Sequence, residues 1–420
     1  MLFEVENIGK VKYGRLKMRG ITVLAGNNST GKSTFGKALF CMFNAFRESD
    51  KTIMRERRNS IVDIIFRFNR RPIMRPARID DLADSILDKM DYPPEIQKII
   101  QDAIEQRIII PREIDDSANM LFKKICDYGR INDKQIQKMI LEQYLTGEFD
   151  GQVTHVNSSQ QKGTMSLLFK DQQYNLAAYM NKNECIDYTD NVSILNRAFY
   201  VDTPFIMDVF NQYKFRPHPN EYNHRNQLLE CLRSTNNDSN ISEKVISKES
   251  LKSVLEHINS TVPGDFDKTE SGNLGFREPG LDQPLELANV SAGMKMFLII
   301  KRLLETGAIK ERDVLILDEP EVHLHPEWQI KFAEALVLLQ KAFDLTILLT
   351  THSPYFLRAV EVFSIKQGNA NDRCDYYHLK NNEEGYCHAQ DVMADTDEIY
   401  QTLAKPFQTL DSIYYANCIG

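Results

Sequence analysis

Apolar and polar residues change rhythm several times along the chain, and each change marks an element. Residues 2–6 alternate, the period of a strand with one buried face. Gly20-Ile21-Thr22-Val23-Leu24-Ala25 is a short apolar run halted by Gly26. It predicts a buried strand feeding a loop, then a helix from 32 to about 46. From about 51 to 150 the spacing turns helical and heavily charged. Segments 76–90, 94–108, 113–128 and 132–146 are set apart by Pro93-Pro94, Pro111 and Gly129. Residues 151–178 return to strand texture, clearest at 164–169, and 198–201 is a further short strand. Residues 211–240 are polar, with an exposed loop at 234–240, and a helix runs from about 241 to 259. Between about 273 and 365 apolar strands at 314–317 and 345–351 alternate with helical spacing, strongest at 296–305. A mixed, partly aromatic tail closes the chain at 366–420. No internal repeat stands out, and no heptad run is long enough for an extended coiled coil.

Composition narrows the class. The 420 residues suffice for a large core and two or three structural units. A net charge of −8 excludes a global basic field aimed at nucleic acid, but not a local patch. Seven cysteines lie scattered with no Cys-x-x-Cys, which reads as reduced thiols and predicts a cytoplasmic protein. The first residues carry no signal-peptide core. No apolar run approaches the roughly 20 residues of a membrane helix, so no membrane span is expected.

The candidate chemistry sits where strands end. Gly26-Asn27-Asn28-Ser29-Thr30-Gly31-Lys32-Ser33-Thr34 fits G-x-x-x-x-G-K-[ST], with a buried strand before it and a helix after. Its glycines let backbone N–H groups converge on one anion, and the helix adds its positive end. Lys32 is then expected to reach the β- and γ-phosphates, and Ser33 to place its hydroxyl on Mg²⁺. Far along the chain, the apolar run 314–317 ends in Asp318 and Glu319. Charge at the end of a buried strand costs several kcal/mol unless it is compensated, and a metal-bound nucleotide compensates it. Asp318 is expected to hold Mg²⁺ through water, and Glu319 to polarise the attacking water. The strand at 345–351 leads into His352-Ser353-Pro354, where His352 can hydrogen-bond the γ-phosphate.

A second anion site precedes the 296–305 helix, at Val290-Ser291-Ala292-Gly293-Met294-Lys295. One nucleotide gripped by one phosphate loop has little need of a second such site on the same chain. The economical reading is a homodimer in which Ser291 of one protomer closes over the nucleotide held by Lys32 of the other. A plain capped helix is the alternative.

Together these stretches resemble the soluble, non-transporter branch of the ATP-binding-cassette ATPases. Ser291-Ala292-Gly293, Asp318-Glu319-Pro320-Glu321-Val322-His323-Leu324-His325-Pro326 and Thr350-Thr351-His352-Ser353-Pro354 are similar to the RecF- and SMC-like ATPases. They are most similar to the overcoming-lysogenization-defect (OLD) type and to ATPase subunits of bacterial anti-phage systems. The resemblance covers about residues 1–45 and 270–365. It implies an α/β fold, a two-lobed ABC-type P-loop ATPase head with a helical insertion, dimerising around ATP and Mg²⁺. The domain plan is then 1–50 and 270–365 for the two parts of the head and 51–150 for the insertion. Residues 151–210 are strands returning to the head, 211–269 a polar loop and helix, and 366–420 a tail. The resemblance makes Gly26 to Thr34 the Walker A loop, Asp318 and Glu319 the Walker B pair, Ser291 to Gly293 the signature and His352 the switch histidine. The sequence departs from transporters at Met294-Lys295, where Lys295 is expected to add a positive contact to the facing nucleotide. It departs again at His323 and His325, where small residues and an aspartate are usual. Gln160, Gln161, Gln172 and Gln173 are the candidates for the Q-loop glutamine.

Many OLD-type relatives carry a C-terminal Toprim nuclease, for which the 366–420 tail is too short. The resemblance therefore implies a separate effector, a nuclease or toxin, under control of this ATPase. Arg55, Arg57, Arg58, Arg67, Arg70, Arg71, Arg75 and Arg78 form a basic stretch that suits either nucleic-acid phosphates or an acidic protein; a solvated helical surface paired with nearby acids is equally consistent. A DNA-clamping repair ATPase and a slowly hydrolysing scaffold remain open beside the defence ATPase.

Overall fold

The computed structural model describes residues 1–69, 76–111, 117–155, 162–170, 172–212, 222–234, 241–368, 373–382, 385–393 and 396–418. They form two compact units, one of Met1–Asn44 with Leu141–Gly420 and one of Ala45–Ile140.

The larger unit is built on an eleven-stranded sheet. From one edge its order is Glu184–Asp190, Tyr174–Asn181, Lys162–Phe169, Leu2–Ile8, Val11–Lys17, Cys387–Asp391, Cys374–Asn381, Ile21–Ala25, Thr346–Thr351, Val314–Asp318 and Ala198–Val201. The last five are mutually parallel and the first five antiparallel. Ile21–Ala25 is buried at every residue, as expected of a parallel strand covered on both faces. On one face Val23, Leu315, Leu317, Ile347 and Leu349 meet Phe297, Leu336 and Leu357 of the helices Ala292–Glu305, Pro326–Phe343 and Pro354–Lys366. Each fully buried large side chain there contributes on the order of 1.5–3 kcal/mol. On the other face lies the helix Lys32–Ala45. A Cβ at Gly36 would stand 3.1 Å from Ile316 Cγ2 and 3.3 Å from the Tyr200 ring, so glycine lets this helix lie close to the sheet. Because side chains alternate across a strand, Tyr200, Asp318 and Thr350 point to the side of the helix Lys32–Ala45.

The sequence reading places most elements of the head within a few residues. Its tail is different. Cys374–Asn381 pairs in parallel with Ile21–Ala25, and Cys387–Asp391 pairs with Val11–Lys17, so part of 366–420 completes the central sheet. The final helix is Asp397–Cys418.

The smaller unit is helical. It contains Ser49–Phe68, which the sequence reading did not single out, then Pro76–Leu87, Pro93–Glu105 and Ser117–Gly129. Its own core includes Ile61, Ile65, Ile86, Ile100 and Ile125. Of the arginine stretch, Arg57 pairs with Asp133 at 2.7 Å and Arg58 with Asp84 at 2.6 Å and Asp80 at 3.3 Å. These two are neutralised by acids of their own unit and are not a free basic patch. Arg55, Arg67 and Arg78 are exposed. Arg70, Arg71 and Arg75 lie outside the described residues. Among the described residues no helix is long and apolar enough to cross a membrane.

Candidate functional site

The loop at Gly26 to Gly31 closes by its own hydrogen bonds. Thr30 Oγ1 donates to Asn27 O at 2.9 Å, and Ser29 and Gly31 take left-handed φ of 63° and 85°. A Cβ at Gly26 would stand 2.7 Å from Leu379 O, so the neighbouring strand demands glycine there. The helix Lys32–Ala45 carries no acid in its first turn, which leaves its positive end uncompensated. Asn27, Asn28, Ser29 and Ser33 are exposed, and Lys32 is buried at 4 % exposure. Lys32 Nζ donates to Gly26 O and Asn27 O, both at 3.0 Å.

The acids arrive at the end of the parallel strand Val314–Asp318, next but one to Ile21–Ala25 in the sheet. Lys32 Nζ lies 3.2 Å from Glu319 Oε1, bringing the two sequence-distant stretches together. Glu319 takes a left-handed φ of 50°, and its N–H donates to Thr350 Oγ1 at 3.0 Å. Both oxygens of Asp318 accept from hydroxyls: Tyr200 at 3.0 Å, and Thr350. His352 Nδ1 lies 3.4 Å from Glu319 Oε2, an ion-pair distance without hydrogen-bond geometry. His352 foremost, and then Lys32, hold the Glu319 carboxyl down to about 2 against the opposing effect of burial. Glu319 in turn raises the His352 imidazole above its usual value, with burial opposing and Glu321 adding.

A second layer fixes the two loops. Glu321 is 2 % exposed. Its Oε1 accepts from Thr351 Oγ1 at 2.6 Å and from the His352 N–H at 3.0 Å. Burial pushes its carboxyl up. Ser353 Oγ donates to Gln329 Oε1 at 2.7 Å, and Gln329 Nε2 donates to Leu324 O at 3.1 Å. His325, one of the two unexpected histidines, is the cap of the helix Pro326–Phe343: its Nδ1 accepts from Glu327 N at 3.4 Å. His323 packs edge-on against Phe205, with ring centres 5.1 Å apart.

A cavity of about 250 Å³ opens here, lined among others by Ser33, Asp202, Met296, Asp318, Glu319 and His323. Ser291, Ala292 and Gly293 are not part of that lining. Ser291 is exposed and caps the helix Ala292–Glu305, its Oγ accepting from Met294 N at 3.4 Å. Lys295 turns inward, against expectation. It is 3 % exposed, and its ammonium is taken by Asp208 and by Ala288 O at 3.0 Å. An ammonium so engaged is not presented to a facing nucleotide.

The sequence matches the family model described as "AAA ATPase domain" over residues 1–357. The chain belongs to the AAA ATPase domain family. The fold of this ATPase domain is similar to the SMC head domain from Thermotoga maritima, at 12 % identity, covering 93 % of this chain and 98 % of that one with a TM-score of 0.39. It is also similar to an SmcHead bound to the C-winged helix domain of ScpA, at 10 % identity, covering 93 % and 96 % with a TM-score of 0.43.

Motif reading missed several residues of the ATPase domain's cavity and its support. Asp202 follows Ala198–Val201 just as Asp318 ends Val314–Asp318, and that repeated strand-then-acid pattern was the available signal. Glu321 and Thr350 stand inside the stretches that carry the resemblance but were given no role there, and Tyr200 carries no spacing that marks it. The Q-loop candidates are not supported. Gln172 and Gln173 lie in the turn after Lys162–Phe169, whose register pairs Leu168 with Leu2. The loop at Gly31 touches Lys10 and Val11, past the opposite end of the strand Leu2–Ile8. Gln160 and Gln161 lie outside the described residues.

The donor chemistry suits Mg²⁺. Ser33 and Asp318 offer hard oxygens on one cavity, and the two hydroxyls on Asp318 fix its orientation while leaving lone pairs free. Among the described residues no group of three His, Cys, Asp or Glu forms a metal cage.

Proposed function

We propose that this chain binds ATP with Mg²⁺ at the Gly26 to Thr34 loop, hydrolyses it, and closes as a homodimer in which Ser291, Ala292 and Gly293 cap the partner's nucleotide. The observation that carries the reading is the 3.2 Å approach of Lys32 to Glu319 beside Ser33 and Asp318.

The backbone N–H groups of the Asn27 to Gly31 loop and the start of the helix Lys32–Ala45 would receive the β- and γ-phosphates. Ser33, and Asp318 through water, would hold the Mg²⁺, which supplies charge neutralisation on the phosphates. Lys32 is already committed to Glu319, so an arriving phosphate competes for its ammonium. Once Lys32 turns to phosphate, Glu319 loses a cation that depresses its basicity and becomes a better acceptor for a water proton. His352, beside Glu319, is placed to hydrogen-bond the γ-phosphate and to register its loss. Lys295 has no part in the cap, because it is engaged inside its own protomer.

The biological reading is control of a separate effector, a nuclease or toxin, in anti-phage defence. It is supported by the resemblance of the Asp318 to Pro326 stretch to defence ATPases. Direct DNA clamping draws less support, since Arg57 and Arg58 are paired within their own unit. Purified protein should hydrolyse ATP, and Lys32→Ala should abolish nucleotide binding. A wild type that binds no ATP sinks the reading. Co-expression with the neighbouring gene product tests the biology: stable co-purification supports an effector, and salt-sensitive DNA affinity without it favours the repair ATPase.

A further inference from the structure

We infer that Asp202 is a working residue of the nucleotide site, an acceptor that orients a water of the nucleotide-bound Mg²⁺ beside Asp318, and that His224 is the positioning residue that holds it there. The inference rests on the ATP reading above.

Register places the two acids together. Val201 is opposite Leu317 on neighbouring parallel strands, so Asp202 and Asp318 follow side by side, with strands about 4.8 Å apart. Both line the cavity with Ser33. Adjacent carboxylates repel, and the chain treats them differently. Asp318 receives hydroxyl donors, from Tyr200 and Thr350, and lines the cavity. Asp202 receives cations of the protein: Arg225 NH2 at 2.6 Å and His224 Nε2 at 3.1 Å, both on Oδ2. Its Oδ1 is approached by Arg225 Nε at 3.3 Å and keeps lone-pair capacity. Asp202 thus stays ionised without needing a metal. Such a group on the cavity that holds Ser33 and Asp318 is suited to accept hydrogens from water.

His224 is 8 % exposed and spans two carboxylates, with Nδ1 2.8 Å from Glu148 Oε2 and Nε2 facing Asp202. Nδ1 is hydrogen-bonded to Glu148, while Nε2 meets Asp202 at 3.1 Å as an ion-pair contact without hydrogen-bond geometry; a ring set between two carboxylates favours the imidazolium. Burial alone would lower its value; Asp202 and Glu148 reverse that and raise it to about 9. The ring also stacks on Tyr200, with centres 4.4 Å apart at 29°, and Tyr200 donates to Asp318. One buried cation therefore orients Asp202 directly and Asp318 through a phenol.

The test compares wild type with Asp202→Asn, Asp202→Glu and His224→Gln, each checked for folding by circular dichroism. A fluorescent ATP analogue is titrated with and without Mg²⁺, and kcat and KM are measured. Asp202→Asn should bind nucleotide like wild type without the ion. It should need about tenfold more Mg²⁺ for half-maximal effect and lose about 10–100-fold in kcat with little change in KM, the scale of displaced outer-shell partners. His224→Gln should shift both quantities the same way by less. If Asp202→Asn does not fold, the Mg²⁺ requirements of Asp202→Glu and His224→Gln decide alone. Unchanged Mg²⁺ dependence and kcat in the folded variants overturn the inference while leaving the ATP reading intact. Absence of nucleotide binding by wild type overturns both.

Discussion

At the scale of single residues, the site is a chain of alternating charge: Lys32, Glu319, His352. Each member changes what its neighbour does. The Glu319 carboxyl is depressed to about 2 from 4.5, so its pairing adds stability above pH 4.5 and loses it as pH falls toward 2. His352 is raised above 6.5, so its share is present below pH 6.5 and is lost as pH rises through the higher folded value. Both contributions are complete only between pH 4.5 and 6.5. The side chains are 30 % and 41 % exposed, so solvent screens the pair and its net worth is small. The coupling is better read spectroscopically. Glu319→Gln removes the anion, and the His352 ring should then titrate at lower pH in a proton–nitrogen NMR spectrum; an unmoved midpoint would show the two groups are not coupled. Lys32, Asp318, Glu319 and His352 were legible because each lies in a local pattern tied to a strand end. Tyr200, His224 and Glu148 were not, because no local pattern announces partners such as Asp318 for Tyr200 or Glu148 for His224, which lie more than 70 residues away.

At the scale of elements, the sheet explains both what the sequence predicts and what it hides. Continuous apolar runs such as 21–25 and 314–317 announce buried parallel strands. The strand Cys374–Asn381 has Asp375, His378 and Lys380 among apolar residues and did not announce itself. Its polarity is supported by specific partners: Asp375 pairs with Arg19 at 2.7 Å, and Lys380 with Glu398. That strand also shapes the phosphate loop. Gly26→Ala would push a methyl group against Leu379 O and should cost about 1–3 kcal/mol, the range for overpacking, read as a lowered urea midpoint. A wild-type midpoint would mean the two strands are not so close. Glu321 links two other elements, the turn after Val314–Asp318 and the end of the strand Thr346–Thr351. Glu321→Gln keeps an oxygen for Thr351 and the His352 N–H and should leave stability nearly unchanged. Glu321→Ala leaves both donors unpaired and should lose roughly 1–3 kcal/mol together with ATP turnover. Equal stability of the two variants would show the link is unimportant.

At the scale of the whole molecule, the open question is what Ser291 faces. It caps its helix and is exposed, and Gly293 lies close to the loop after Glu319: a Cβ there would stand 3.0 Å from His323 O and 3.5 Å from Trp328. The signature helix is thus packed directly onto the loop that carries the acids, and Trp328, which also meets Phe297 edge-on at 5.8 Å, marks the junction. Trp328 is the single tryptophan of the chain, so its emission reports this junction without a label. Glu319→Gln slows hydrolysis and should trap the ATP-bound dimer, seen as a doubled mass by light scattering with a concurrent change in Trp328 emission. Adding Ser291→Arg places a bulky cation where the caps meet. The double variant should bind ATP through Lys32 with unchanged affinity, stay monomeric, and show no emission change. On the Glu319 background, Ser291→Arg alone should cut turnover on the order of 10²-fold, the scale of losing a group that stabilises developing charge. A dimer that persists in the double variant, or full turnover in Ser291→Arg, would place the closing surface elsewhere and leave Ser291 as only a helix cap.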